Sequence, residues 1–236
     1  GNQNWMKQNL KVTHYNDGSE IPTGLDNSTW ASTTAGAYAV YDDDPDNAEI
    51  YGNLYNWYTV DDERGICPEG WHVPSDDEFM ELEIFLGMSQ SDANSMGYRG
   101  TNEGSKLAGY AELWNDGNLE ANAEFGISGF LGLSGSYRNH NGQNGFVGNS
   151  GYFWSSPETN NIDAWSRELH YNQTDIYRWD SDKNYGFSIR CLETIEGCTD
   201  SFADNFDEIA NVDDGSCEYP NNGDYSLSFD GIHGID

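Results

Sequence analysis

The sequence predicts an α+β fold: two helices on a twisted antiparallel sheet, followed by a small disulfide-stapled acidic module and a C-terminal strand. Three observations carry this. Ser75 and Glu78 stand at the spacing of a reciprocal helix cap, directly before an apolar stripe. From Phe125 onward the pattern turns to short alternating runs between glycine turns. Cys67 lies ahead of the capped helix and Cys191 in the last of those runs, where a long-range link would close the domain. Cys198 and Cys217 then form a local pair, although the short Cys191 to Cys198 spacing leaves a link between those two open.

Taken in order, the chain begins abruptly with Trp5, Met6, Leu10 and Val12, as though a domain were entered midway, and turns at Asn16-Asp17-Gly18-Ser19. Residues 24–35 read as loop and 37–41 as a short strand, broken by Asp42-Asp43-Asp44-Pro45-Asp46. That acidic run is either a cation site or a solvated loop; the second is favoured because EF-hand spacing and its glycine are missing. Ile50, Leu54, Trp57 and Tyr58 fall on one side of a helix over 50–60, although the aromatic content also suits a strand. Trp71 and Val73 alternate in an extended lead into the central helix. There Asp76, Asp77 and Glu78 suit the dipole, Phe79, Leu82, Phe85 and Leu86 make one stripe, and Gly87 fits a left-handed stop.

Residues 88–123 show no sustained period and read as a long irregular excursion, the kind of segment that often carries function. Strands follow at 132–138, 152–156, 165–171, 176–179 and 187–192 as an antiparallel meander. Trp165, Arg167, Leu169 and Tyr171 alternate with Ser166, Glu168 and His170, so one face is covered and the other wet.

At 236 residues the chain has room for one domain plus small modules, placed here at 1–194, 195–220 and 221–236. Ten Lys plus Arg against 41 Asp plus Glu give a net charge of −31, which repels a phosphate backbone and excludes nucleic acid as a partner. No run approaches a membrane span. No signal peptide opens the chain, so any export signal is expected upstream. Four cysteines without Cys-x-x-Cys spacing or neighbouring histidines favour disulfides over zinc. The five histidines are scattered and no Gly-x-Ser-x-Gly elbow is present, so a catalytic role is not expected.

Several segments carry a family pattern: Gly-Asn-Gln-Asn-Trp-Met (1–6), Tyr-Gly-Asn-Leu-Tyr-Asn-Trp-Tyr (51–58), Cys-Pro-Glu-Gly-Trp-His-Val-Pro-Ser (67–75), Ser-Gly-Ser-Tyr-Arg (134–138), Phe-Trp-Ser-Ser (153–156) and Gly-Phe-Ser-Ile-Arg-Cys (186–191). Over about 190 residues the chain resembles the Fibrobacter succinogenes major paralogous domain. The resemblance implies a C-type-lectin-like fold, shared with domains of bacterial collagen-like adhesins and with formylglycine-generating enzymes, and a place in secreted or cell-surface proteins. It also implies structural rather than redox roles for Cys67 and Cys191, and a short strand ahead of the first motif. Residues 197–219 are similar to a short module found between domains of marine bacterial surface proteins, and 224–236 resemble the opening strand of a laminin-G or concanavalin-like sandwich.

Lectin-like domains that bind sugar through calcium use a Trp-Asn-Asp triplet, present here as Trp114, Asn115 and Asp116, together with a Pro tripeptide that residues 88–113 lack. Tyr177 and Trp179 are candidates to stack on sugar rings from the wet sheet face. In the small module, Asp200, Asn205, Asp207, Asp213 and Asp214 lie within a cysteine loop too poor in apolar residues to fold by burial, so calcium is a candidate cofactor. The tail alternates Tyr225, Leu227 and Phe229 with polar residues, so it either begins a further domain or docks as an edge strand, in its own chain or a neighbour's. The reading is a non-catalytic extracellular protein for adhesion or structure that binds glycan, with a filament subunit assembled by strand exchange as the rival.

Overall fold

A computed structural model of the chain describes residues 3–219. The chain divides into two compact units, Gly1–Glu193 and Thr194–Asp236. The strand expected within 221–236, with its docking role, lies outside the described residues.

The first unit is α+β. Asp26 caps α1 (Asn27–Ser32) by accepting from the Thr29 amide, and β1 (Tyr38–Ala39) follows. Asp44 caps α2 (Pro45–Tyr51), whose proline occupies the first turn, where its missing N–H leaves no bond unmade. The helix expected over 50–60 is instead three pieces: the end of α2, then β2 (Leu54–Tyr55) paired antiparallel with β1, then α3 (Trp57–Val60). Gly52 is the reason. It turns the chain at φ 79°, and a Cβ there would lie 2.8 Å from both Asn9 Cβ and the Leu10 carbonyl oxygen. Beyond it the backbone bonds outward, Asn53 N–H to Leu10 O at 3.0 Å and Tyr55 N–H to Phe187 O at 2.8 Å.

β3 (Trp71–His72) leads into α4 (Asp76–Phe85), where Ser75 Oγ accepts from the Glu78 amide and the Glu78 carboxylate accepts from the Ser75 amide. The apolar stripe is narrower than its sequence suggests. Phe79 and Leu82 are buried, but Phe85 is 65% exposed, and the inner face is completed by the buried carboxylates of Asp76 and Glu83. The excursion over 88–123 holds α5 (Gln90–Ala93), β4 (Gly97–Arg99) and α6 (Glu103–Leu107), so among the described residues six short helices stand where two were expected, and α4 is the longest.

β5 (Ser150–Glu158), β6 (Asp163–His170) and β7 (Ile176–Asp182) complete the main sheet, antiparallel throughout in the order β4-β7-β6-β5. The runs at 132–138 and 187–191 make isolated bridges rather than full strands, and β8 (Leu192–Glu193) pairs with β3. Cys67 and Cys191 are disulfide-bonded, tying the lead into α4 to the end of the unit within a core of Tyr55, Trp57, Trp154, Phe187 and Ile189. A second cluster, with Phe79, Leu82, Phe153, Leu169 and Ile176, fills the space between α4 and the sheet.

In the second unit β9 (Glu196–Gly197) pairs parallel with β10 (Val212–Asp213), and Cys198 is bonded to Cys217. No helix among the described residues is long and apolar enough to cross a membrane.

Candidate functional site

The alternation of β6 and β7 gives the sheet two unlike faces. Toward α4 point Arg167 and Arg178, joined by Arg99 of β4. Arg167 donates to Asp76 Oδ1 and Glu83 Oε1, both at 2.7 Å, Arg178 donates to Asp76 at 3.0 and 2.5 Å, and Arg99 donates to Glu83 at 3.0 Å. Burial pushes the Asp76 carboxyl up, but Arg178 and Arg167 outweigh it and hold the group below its ordinary range.

Toward solvent the same strands present Tyr177, Trp179 and Glu168. With Tyr137, Tyr152, Tyr185, Phe187, Asp180 and Asp182 they line a groove of about 300 Å3. Tyr177 and Trp179 stack, ring centres 5.9 Å apart at 19°, and Tyr98 extends the platform at 4.7 Å from Tyr177. Tyr152 stacks on Phe187 at 4.8 Å and meets Tyr137 edge-on at 5.2 Å. Trp179 is 44% exposed, so a large apolar ring faces water. The groove lining carries three carboxylates and no lysine or arginine. That negative field registers on its neighbours: burial, then Glu168 and Asp175, push the Tyr98 phenol up to about 12, and burial followed by Glu168 raises Tyr152 further. Aromatic faces rimmed by hydrogen-bond acceptors suit a polyhydroxylated, uncharged ring and disfavour an anion.

Of the residues singled out from the sequence, Tyr177 and Trp179 come together in this groove. Trp114 is buried and donates its indole N–H to Gly109 O at 3.0 Å. Asn115 and Asp116 are exposed beside it, Asn115 donating to Asn149 Oδ1 at 2.6 Å. In the second unit the candidate calcium ligands serve local backbone: Asp200 accepts from the Phe202 amide, Asp207 from Ile209, Asp213 from Gly215 and Asp214 from Ser216, while Asn205 accepts from Glu218. Among the described residues no three His, Cys, Asp or Glu side chains are grouped to hold a metal ion. Sequence reasoning missed Tyr137, Tyr152 and Tyr185. Tyr152 could have been found from its register, since it pairs with Glu168, which pairs with Tyr177. The other two reach the groove from outside the regular strands.

The molecule is thus an α+β domain with an ionic layer under one sheet face and an aromatic, acidic groove on the other. The chain belongs to the Fibrobacter succinogenes major domain family, whose model matches residues 1–193. No curated protein and no solved structure matches it.

Proposed function

We propose that the chain is a non-catalytic module of a secreted or cell-surface protein, C-type-lectin-like in fold, that binds neutral glycan in the groove of the main sheet. The observation that carries this is the stack of half-buried Tyr177 on exposed Trp179, rimmed by Glu168, Asp180 and Asp182. Burying such a ring against a sugar face contributes about 1–2 kcal/mol, and carboxylates accept sugar hydroxyls without demanding a charged ligand. Two disulfides support an oxidising compartment.

Titration calorimetry against neutral and uronic polysaccharides is the test. The neutral polymers are expected to bind, and Trp179→Ala to weaken binding about tenfold with melting unchanged. Absence of binding, or an affinity indifferent to Trp179, removes the groove from consideration.

A further inference from the structure

Away from the groove, a second pocket of about 230 Å3 is lined by Lys7, Asn9, Lys11, Glu49, Tyr110 and the apolar walls of Leu113 and Leu133, among others. Its electrostatics run against the rest of a molecule carrying −31. Lys11 pairs with Glu49 at 2.5 Å, whereas Lys7 has no carboxylate partner among the described residues. Behind the wall lies Arg190, only 1% exposed. It donates to Asn9 Oδ1 at 2.5 Å, to Phe130 O and to Leu131 O at 3.4 Å, and no carboxylate meets it among the described residues. Its Nε has no hydrogen-bond partner. The pocket lining therefore holds two cations, Lys7 and Lys11, against one carboxylate, Glu49, and a third cation, Arg190, lies one hydrogen bond behind it through Asn9.

A buried guanidinium without a counter-ion is costly, and an anion brought near it recovers part of that cost. We infer that this pocket binds a small carboxylate-bearing ligand, its charge held between Lys7 and the field of Arg190 and its body against Leu113 and Leu133. Burial already pushes the Arg190 guanidinium down to about 9, with the Tyr110 phenol on the pocket wall acting in the opposite direction. An anion in the pocket favours the charged guanidinium.

The test is NMR titration of the whole chain with D-glucuronate, with D-glucose as the neutral control, following the Arg190 Nε–H resonance. Glucuronate is expected to shift that resonance saturably and glucose to leave it in place. Lys7→Gln, an exposed change that leaves the fold intact, is expected to weaken glucuronate binding about three- to fivefold. No saturable shift, an equal response to glucose, or an affinity indifferent to Lys7→Gln overturns the inference. Trp179→Ala is expected to leave this titration unchanged, which keeps the outcome separate from that of the groove.

Discussion

Arg167 and Arg178 are direct cross-strand partners, an arrangement in which like charges repel. Asp76 resolves it by accepting from both, and Glu83 holds Arg167 from its other side. Removing one member leaves the others buried and uncompensated, so Asp76→Asn is expected to cost about 3–5 kcal/mol in urea unfolding. The pH dependence follows from the direction of the shift. Because the folded Asp76 carboxyl lies below its unfolded value, its contribution is complete above roughly pH 4 and is lost as pH falls through the lower folded value. Urea midpoints measured down through the acid range should fall in wild type, and part of that fall should be missing in Asp76→Asn. None of this pairing was legible in the sequence. Asp76 satisfies every local rule for a dipole-facing first-turn acid, and its partners lie 91 and 102 residues away. Alternation tells which side of a strand an arginine takes, not which carboxylate waits there.

At the scale of elements, legibility followed the range of the signal. The start of α4 is written within four residues, and the structure has the full capping box. Ser75→Ala is expected to lower stability by about 1 kcal/mol, read from thermal or urea unfolding. The segment over 50–60 misled because its periodicity was genuine while its decisive contact, Gly52 against Asn9 and Leu10, is tertiary. Gly52→Ala must place a Cβ there at positive φ, and is expected to destabilise by more than about 1 kcal/mol. A mild effect would mean that the 9–10 segment yields easily. Three of the four main-sheet strands, β5, β6 and β7, were located to within a few residues, since each is bounded by turn residues and alternates, whereas β4 lies in the segment read as an irregular excursion. The aromatic platform was half visible for the same reason: Tyr177 and Trp179 share a strand face, whereas Tyr137 and Tyr185 do not belong to the regular sheet.

For the molecule as a whole, the two disulfides act on different scales. Cys67–Cys191 spans 124 residues, and closing a loop of that size restricts the unfolded chain by about 4–5 kcal/mol in the chain-entropy treatment. The second unit has little else to hold it, because only Cys198 and Ala203 are buried apolar residues among those described there. Cys198→Ser together with Cys217→Ser is expected to abolish amide-exchange protection over 194–219, and retained protection would show that its turns suffice. The pairing could be reasoned from position along the chain, but the shallow burial of the second unit emerged only from its fold.

The ionic layer beneath α4 has a consequence for the groove on the far side. Sliding β7 by one residue against β6 would send Tyr177 under the helix and turn Arg178 out toward solvent. A slipped aromatic face alone would cost little, since tyrosines tolerate either environment. The slip also takes Arg178 away from the buried Asp76, which then keeps only Arg167, and a half-compensated buried carboxylate is costly, so the hidden charges proofread the alignment of the visible rings. The groove residues can then vary while the strand pairing stays policed from behind.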